Sequence, residues 1–373
     1  MDLSSIETPR ICIDHARVRS NIASMQARAS AAGVQLRPHA KTHKSPTIAR
    51  WQTDAGASGI CCAKLGEAEV FVAAGSTDIR LPYPLQPSNA TRIKALQDRA
   101  RISIIVDDEQ VAAAWAQAMH AAGRTLEVLV KVDVGTHRVG VDPDGPGTLD
   151  VIRRIAEMPG LKFRGLLSHA GHSYGGKSSA EIEAVAVHEH GILTTMAAAL
   201  RAGGVDVPEI SVGSTPSARF IHKQPGVTEM RPGTYVFNDR TQVGLGAATL
   251  ADCAMSIVAT VVSRPSSTRV VFDAGSKTLS QDVVRGFNGE VGHGLVYTSL
   301  DAAQPDVSIS VDKLSEEHAV AHTTADCALR PGDRVRIIPN HTCVVTNLAS
   351  ELLLTDGLQI LEVIPVAARG KIW

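Results

Sequence analysis

The sequence of 373 residues predicts an α/β protein, in which a (β/α)8 TIM-type barrel is followed by a smaller, mostly β domain. Short apolar runs alternate with longer amphipathic segments over the first two thirds of the chain. Several runs, such as 102–107 and 126–134, are nearly continuous in apolar residues, which is typical of strands covered on both faces. After about residue 245, strand-like runs alternate with turn signals and helical patterns become rare.

Eight runs are predicted to form the barrel strands. They are 36–41, 59–64, 78–83, 102–107, 126–134, 163–169, 209–215 and 228–237. A doubly wound open sheet is the alternative, but no Gly-x-Gly-x-x-Gly motif follows the first strand, so a dinucleotide fold has little support. We expect the barrel to cover residues 10–245, and the β domain to cover 246–373 together with residues 1–9.

The composition argues against nucleic acids and membranes as partners. The chain has 37 Lys+Arg against 38 Asp+Glu and only 3% aromatic residues, whereas nucleic-acid binding uses an excess of cations and stacking side chains. No apolar stretch approaches the roughly 20 residues of a membrane span, and the N-terminus lacks the pattern of a secretion signal. Six cysteines are too sparse for a disulfide framework. The sequence therefore predicts a cytoplasmic protein.

A lysine lies at the predicted end of the first barrel strand. With a period of two residues, His39, Lys41 and His43 would share one face of that strand. A lysine inside a barrel is costly to bury unless it is paired or uncharged. Lys41 is therefore either a Schiff-base lysine or a lysine at the barrel rim that is paired with an acid.

Small and hydroxyl-bearing residues follow the last two predicted strands, with Gly-Ser-Thr at 213–215 and Gly-Thr at 233–234. Backbone N–H groups can approach an anion closely at such turns, and this end of a (β/α)8 barrel commonly holds a phosphate. Together with Lys41 on the first strand, the two turns predict pyridoxal phosphate as the cofactor. Other candidates at strand ends are Arg138, His169, His172 and Tyr174.

His341 and Cys343 form a candidate metal pair. Two residues apart on a predicted strand, their side chains would project to one face. The soft thiolate favours zinc over magnesium or calcium, and two protein ligands would leave positions for water or substrate. The alternative is a buried cysteine beside an incidental histidine.

These motifs, in this order, resemble the metal-activated D-serine dehydratase/D-threonine aldolase family, whose members have the alanine-racemase-like fold of pyridoxal phosphate enzymes. The resemblance extends from about residue 8 to the C-terminus. It is carried by Arg-Pro-His-Ala-Lys at 37–41, Lys-x-Asp-x-Gly-x-x-Arg at 131–138, Gly-Ser-Thr-Pro at 213–216, Arg-Pro-Gly-Thr-Tyr at 231–235, Asp-Ala-Gly at 273–275 and Pro-Asn-His-x-Cys at 339–343.

The resemblance implies a role for each candidate residue. Lys41 would hold the cofactor as an imine, Arg138 would lie near its phenolic oxygen, and Arg231 would face its pyridine nitrogen. The phosphate would be lined by Ser214, Thr215, Gly233 and Thr234, with His169 and Tyr174 as further cofactor-binding residues. His341 and Cys343 would bind zinc, or another divalent cation such as manganese. The resemblance also implies a homodimer.

The implied reaction is the dehydration of a D-3-hydroxy amino acid, such as D-serine or 3-hydroxy-D-aspartate, to a 2-oxo acid and ammonia. Lys41 would remove the Cα proton, and the metal would help the hydroxyl leave. Family members with His-x-Cys look like zinc-dependent dehydratases, whereas the aldolases carry His-x-Asp. The aldolase alternative uses His39 or His172 as the base and yields glycine and an aldehyde. A non-catalytic pyridoxal phosphate-binding protein is the second alternative.

Overall fold

The computed structural model, which describes residues 2–287, 291–324 and 327–373, contains two sheets. Strand β1 (Arg10–Asp14) enters the second sheet, and the next eight strands form the first one, in which neighbouring strands are parallel. These eight are β2 (Gln35–Leu36), β3 (Ile60–Cys61), β4 (Asp78–Pro84), β5 (Arg101–Val106), β6 (Leu126–Lys131), β7 (Leu161–Leu167), β8 (Glu209–Val212) and β9 (Glu229–Met230).

The first sheet curls into a barrel. Its strand order is β2-β9-β8-β7-β6-β5-β4-β3, and a parallel bridge between His39 and Cys61 connects the segment after β2 with β3. The α-helices around it are α1 (His15–Ala31), α2 (Pro46–Asp54), α3 (Leu65–Ala73), α4 (Ala90–Gln97), α5 (Glu109–His120), α6 (Thr148–Glu157), α7 (Ser179–Ala202), α8 (Thr215–Ala218) and α9 (Arg240–Gly244). The predicted (β/α)8 barrel is confirmed, and each of the eight predicted strand runs overlaps one strand.

Aspartates begin several of these helices at their N-caps. Asp14 accepts a hydrogen bond from the Arg17 amide at the start of α1, and Asp108 accepts one from the Val111 amide at the start of α5. Such caps satisfy backbone donors that have no partner within the helix. The Asp108 cap fixes the point at which β5 gives way to α5, and with it one of the loops at the carboxyl end of the barrel.

The second sheet is mostly antiparallel and has nine strands. After β1 they are β10 (Met255–Ser266), β11 (Arg269–Phe272), β12 (Leu295–Tyr297), β13 (Ile309–Leu314), β14 (Ala319–Thr323), β15 (Arg334–Ile338), β16 (Glu351–Asp356) and β17 (Gln359–Pro365). Two short helices, α10 (Ser276–Leu279) and α11 (Thr342–Leu348), connect its strands. The mostly β second domain is confirmed. The strand β1 lies in it, between β10 and β16, whereas we expected residue 10 to begin the barrel.

Buried charges fill the amino-terminal end of the barrel. Glu229 accepts hydrogen bonds from the Arg37 Nε at 2.6 Å and from Arg80, and both arginine side chains are at most 2% exposed. Arg37 also pairs with Asp78 and Arg80 with Glu209, each at 2.6 Å. Buried charges must be paired. Ion pairs between side chains, rather than layers of apolar side chains, therefore fill this end of the barrel.

None of the helices in the described part of the chain combines the length and apolar character needed to cross a lipid bilayer.

Candidate active site

Lys41 lies in a turn rather than on a strand. Strand β2 ends at Leu36, and Ala40–Thr42 form a single 3-10 turn with Lys41 at its centre. The predicted alternation of His39, Lys41 and His43 on one strand face is therefore wrong. The His43 ring is fully buried and lies 3.2 Å from the Gln52 side-chain oxygen, whereas Lys41 is exposed toward the barrel cavity.

A cavity at the carboxyl ends of the strands brings the candidate residues together. Of the sequence-predicted residues it is lined by His39, Lys41, Arg138, His169, Tyr174, Ser214, Thr215, Arg231, Gly233 and Thr234. Three further residues, Pro82, Lys131 and Leu167, complete the described lining. This lining contains no aspartate or glutamate, so the cavity presents cations and hydroxyls to a ligand.

His172 is the one predicted residue outside the metal pair that does not line this cavity. Its Nδ1 lies 3.3 Å from the Thr136 hydroxyl oxygen, and its ring packs beside Gly135. The side chain is half-buried at the rim, within the 3-10 turn Gly171–Gly175. His39 is therefore better placed than His172 to act as a base inside the cavity.

Hydroxyl groups cluster where β8 meets α8. Ser214 caps this short helix by accepting a hydrogen bond from the Ser217 amide, and its hydroxyl lies 3.0 Å from that of Ser173. The Thr215 hydroxyl is buried and has no hydrogen-bond partner among the described residues. Because buried polar groups are nearly always paired, an unpaired hydroxyl that lines a cavity indicates a ligand there. This donor set fits the phosphate of pyridoxal phosphate.

Gly233 allows the segment after β9 to approach the turn that contains Lys41. A Cβ atom at this position would lie 3.0 Å from the Thr42 hydroxyl oxygen and 3.1 Å from the His39 carbonyl oxygen. Contacts this close would force one of the two segments to move. The glycine therefore sets the spacing between Lys41 and the Thr234 side of the cavity.

Arg231 is buried beneath the cavity and held in place by two hydrogen bonds. It donates to the Ser211 hydroxyl at 2.5 Å and to the Ser168 carbonyl, and Ser211 in turn donates to Glu229 at 2.5 Å. The site is thereby connected to the ion cluster at the other end of the barrel. The guanidinium is oriented by these acceptors before any ligand binds.

Two imidazoles in the cavity are kept uncharged. Burial, with the nearby charge of Lys41, holds the pKa of His39 well below its usual range, and burial with Lys131 and Lys41 does the same for the pKa of His169. The Nδ1 of His169 donates to the Gly213 carbonyl at 2.5 Å, so its Nε2 is an acceptor. Lys131 was missed by the sequence analysis because one lysine at the end of an apolar strand resembles a rim residue.

The predicted metal pair lies at the start of a helix. Strand β15 ends at Ile338, His341 is the N-cap of α11, and Cys343 lies in its first turn, so the predicted strand placement is wrong. The two side chains nevertheless lie close enough to shift each other's pKa. The Cys343 sulfur lies 3.2 Å from the Thr42 hydroxyl oxygen and 3.7 Å from that of Thr234, which brings the pair to the edge of the cavity.

The charges around this pair favour a thiolate. Burial alone would raise the pKa of Cys343, but the hydrogen bond and charge of His341 outweigh burial and leave it lowered. Burial likewise opposes the charged form of His341, yet Cys343, Asp239 and Asp282 raise the pKa of its imidazole to about 10. A thiolate, and beside it an imidazole that releases its second proton to bind a metal, are donors that suit zinc. Within the described residues no group of three or more His, Cys, Asp or Glu side chains is arranged to hold a metal ion.

A buried carboxylate joins this helix to the barrel. Asp239 accepts from the Gln242 amide at 2.9 Å, at the start of α9, and from the Thr342 amide at 3.0 Å, at the start of α11. One side chain therefore caps two helices, one from each domain. This fixes His341 and Cys343 relative to the barrel mouth.

Comparison with known proteins assigns the family. Residues 13–241 match the alanine racemase N-terminal domain, and residues 254–355 match the "Putative serine dehydratase domain". The chain is 38% identical to the D-threo-3-hydroxyaspartate dehydratase of Delftia sp. (strain HT23), with 95% of this chain and 96% of that protein aligned. It is 33% identical to a D-threonine aldolase of Arthrobacter sp., over 99% and 94% of the two chains.

A solved structure gives the same result. A D-threo-3-hydroxyaspartate dehydratase variant in the metal-free form, in which a cysteine is replaced by alanine, superimposes with a TM-score of 0.91 over 98% of each chain, at 34% identity. The barrel and the β domain both correspond to one group of proteins. The chain belongs to the D-serine dehydratase/D-threonine aldolase family, which combines an alanine-racemase N-terminal domain with a serine dehydratase domain.

Proposed function

We propose that the protein is a pyridoxal phosphate- and zinc-dependent dehydratase that converts a D-3-hydroxy amino acid to a 2-oxo acid and ammonia. The observation that carries this proposal is the position of the Cys343 thiol, 3.2 Å from the hydroxyl of Thr42, the residue next to Lys41. A base and a metal pair on adjacent sides of one cavity can act on neighbouring carbons of one substrate. This is what the elimination of water requires.

The cavity residues would hold the cofactor and move one proton. Ser214, Thr215 and Thr234 would bind its phosphate through their hydroxyls, and Lys41 would hold it covalently. Bound pyridoxal phosphate supplies an electron sink for negative charge at the substrate Cα. The Lys41 amine, once released by the incoming substrate, would remove the Cα proton. Arg231 is a cation at the position where a carboxylate would instead stabilise a protonated ring nitrogen, so it would keep that nitrogen unprotonated.

The metal pair would act on the leaving group. A zinc ion on His341 and Cys343 would supply the Lewis acid that the substrate hydroxyl needs to depart. The sulfur ligand supports zinc rather than manganese because thiolates prefer softer ions. The metal-free form of the related dehydratase variant supports a metal in this family.

The substrate we favour carries a second carboxylate, as 3-hydroxy-D-aspartate does, with D-serine next. The basic side chains of Arg138 and Lys131 line the cavity and no acidic residue does so in its described part, which suits a dianionic substrate. Burial and the charge of Arg231 lower the pKa of Lys131, and a bound carboxylate would favour its charged form. The name of the Delftia relative supports the same choice. The Arthrobacter relative supports the aldolase alternative, in which the neutral His39 would take the hydroxyl proton and the products would be glycine and an aldehyde.

A product assay on a panel of D-3-hydroxy amino acids tests the proposal. We expect a 2-oxo acid and ammonia from 3-hydroxy-D-aspartate, loss of turnover on chelation, and recovery on adding zinc. Glycine as the main product would replace this proposal with the aldolase. No turnover of any substrate, together with indifference to chelators, would leave a pyridoxal phosphate-binding protein.

Two substitutions separate the cofactor from the metal. Lys41→Ala should abolish the visible absorbance of the lysine-bound cofactor, whereas Cys343→Ala should retain it and lose zinc and turnover. The matched control is Cys327→Ala, a buried cysteine of the same domain, which should keep both. Full activity in Cys343→Ala would contradict the proposed metal site.

We also propose that the protein is a cytoplasmic homodimer. All six cysteines are free thiols, which suits a reducing compartment. Val283 and Val291, with exposed fractions of 68% and 73%, are chain neighbours of Asp282 and Gly292, whose carbonyls accept hydrogen bonds from Asn340, the residue before His341. Apolar side chains this exposed are suited to contact with a second copy. Sedimentation of the purified protein would measure its oligomeric state.

A further inference from the structure

We propose that Asp282 is the positioning residue that orients His341 toward the metal, and that Asn340 holds Asp282 in place. This inference rests on the proposed function, because it assumes that His341 is a zinc ligand. The Nδ1 of His341 lies 2.5 Å from a carboxylate oxygen of Asp282. With Nδ1 engaged in this way, Nε2 is the ring nitrogen that remains for Cys343 or an ion.

The hydrogen bond to Asp282 would fix both the tautomer and the angle of the ring. A carboxylate accepts a hydrogen bond and does not donate one, so Nδ1 keeps its hydrogen, and Nε2 is the nitrogen that gives up its proton and presents a lone pair when an ion binds. Metal-bound histidines commonly use their second nitrogen in this way, which orients the ring and makes it a stronger ligand. Among the described acidic side chains, Asp282 is the one within hydrogen-bonding distance of the His341 ring.

Asn340 positions the backbone that carries this carboxylate. Its side-chain amide is buried and donates to the Asp282 carbonyl at 3.0 Å and to the Gly292 carbonyl at 2.8 Å. The Asp282 amide is also held, by the Ser280 hydroxyl at 3.2 Å. Residue 340 therefore fixes the main chain of Asp282, and residue 341 contacts its side chain.

This arrangement explains the asparagine of the Pro-Asn-His-x-Cys motif. An asparagine side chain has two N–H donors, and here both meet carbonyls of the loop that carries Asp282. A leucine or an aspartate at position 340 would remove the side-chain donor to the Asp282 carbonyl, and would leave the Gly292 carbonyl with the more distant Arg240 Nη1, at 3.4 Å, as its donor within the described residues. The motif thus contains the two proposed metal ligands, His341 and Cys343, and Asn340, which holds the main chain of Asp282 in place.

A purely structural ion pair is the competing explanation, and metal affinity distinguishes the two. The experiment measures the zinc dissociation constant of the cofactor-loaded protein by competition with a coloured chelator. For Asp282→Ala we expect zinc binding weaker by roughly 10–100-fold, with unchanged absorbance of the bound cofactor. Asp282→Asn should fall between Asp282→Ala and the parent protein, because its amide oxygen can still accept from Nδ1.

Asp312→Ala is the matched control. Asp312 pairs with the Nδ1 of His322 at 3.4 Å on the surface of the same domain, away from the cavity. The Asp312→Ala variant should therefore bind zinc with the same dissociation constant as the parent protein. Asn340→Ala should weaken zinc binding in the same direction as Asp282→Ala.

The outcomes separate the inference from the proposed function. Unchanged zinc affinity in Asp282→Ala, while His341→Ala loses zinc, would overturn the inference and leave the metal site intact. Equal zinc binding by the parent protein and His341→Ala would overturn the metal site itself. In Asp282→Ala, turnover should fall at limiting zinc and recover at saturating zinc, which a loss of structure would not reproduce.

Discussion

Replacing Glu229 by glutamine should destabilise the protein by about 3 kcal/mol at pH 7. Glu229 is buried and accepts hydrogen bonds from Arg37, Arg80 and Ser211. Burial alone would raise its pKa, but the charges of Arg80 and Arg37 outweigh burial and lower it from 4.5 to about 2. A lowering of about 2.5 pH units, at about 1.4 kcal/mol per unit, corresponds to about 3 kcal/mol. Breaking a buried ion pair costs a similar amount, about 3–5 kcal/mol.

The effect should depend on pH in a defined direction. Because folding lowers the pKa of Glu229, its contribution to the free energy of unfolding is fully present above pH 4.5 and is lost as the pH falls toward 2. The difference between the parent protein and Glu229→Gln should therefore shrink to about 1 kcal/mol at pH 3.

Urea denaturation at several pH values measures this difference. The matched control is Glu351→Gln, which makes the same change in an exposed ion pair with Arg10 at 2.7 Å and should cost no more than about 1 kcal/mol. Equal losses for the two variants, or a loss for Glu229→Gln that stays constant between pH 7 and pH 3, would refute this account of the ion cluster.

Three further substitutions test a second buried ion pair and two residues of the cavity. Glu67→Ala should lower the free energy of unfolding by about 3–5 kcal/mol in urea, since it leaves the buried amine of Lys44, now 3.0 Å from Glu67, without a partner; a loss under about 1 kcal/mol would contradict this. Thr215→Val should weaken pyridoxal phosphate binding in a fluorescence titration and leave the stability of the cofactor-free protein unchanged, because the hydroxyl has no described protein partner. Gly233→Ala should also weaken cofactor binding, by about 1–3 kcal/mol, because its Cβ would lie 3.0 Å from the Thr42 hydroxyl oxygen. Unaltered affinity would show that the segment after β9 and the Lys41 turn can move apart.

The sequence predicted the barrel because the pattern of parallel strands is local. A strand buried on both faces is apolar along its length, and β5 and β6 show this clearly. The cofactor candidates were found for a related reason: they follow strands, and the carboxyl ends of parallel strands meet at one end of a barrel. The roles assigned to them stay predictions.

Long-range contacts were beyond the sequence. Asp282 reaches its partner His341 across 59 positions, and nothing in the residues around it distinguishes it from other surface aspartates. Arg80 occupies an interior position that the strand pattern predicts to be apolar, and its partner Glu209 lies on another strand. Pairing of this kind depends on which strands become neighbours.

Local backbone geometry was the second source of error. We assigned Lys41 and the His341/Cys343 pair to strands because alternation is the simplest interpretation of residues two apart. Lys41 instead lies in a 3-10 turn and Cys343 in the first turn of a helix. The His341 and Cys343 side chains still lie close together, since a single helical turn also brings nearby side chains together.

The position of β1 has a consequence for biosynthesis. This strand lies between β10 and β16, and the first residue of β10 is made about 240 residues after β1 has been translated. At roughly 5–20 residues per second, the ribosome needs on the order of 10–50 s to supply that neighbour. Meanwhile Ile11 and Ile13 have no sheet to join, while the whole barrel has already been synthesised. The nascent chain can therefore shape a cofactor cavity before the sheet that supports His341 and Cys343 is complete, and an ion would be the last component to bind.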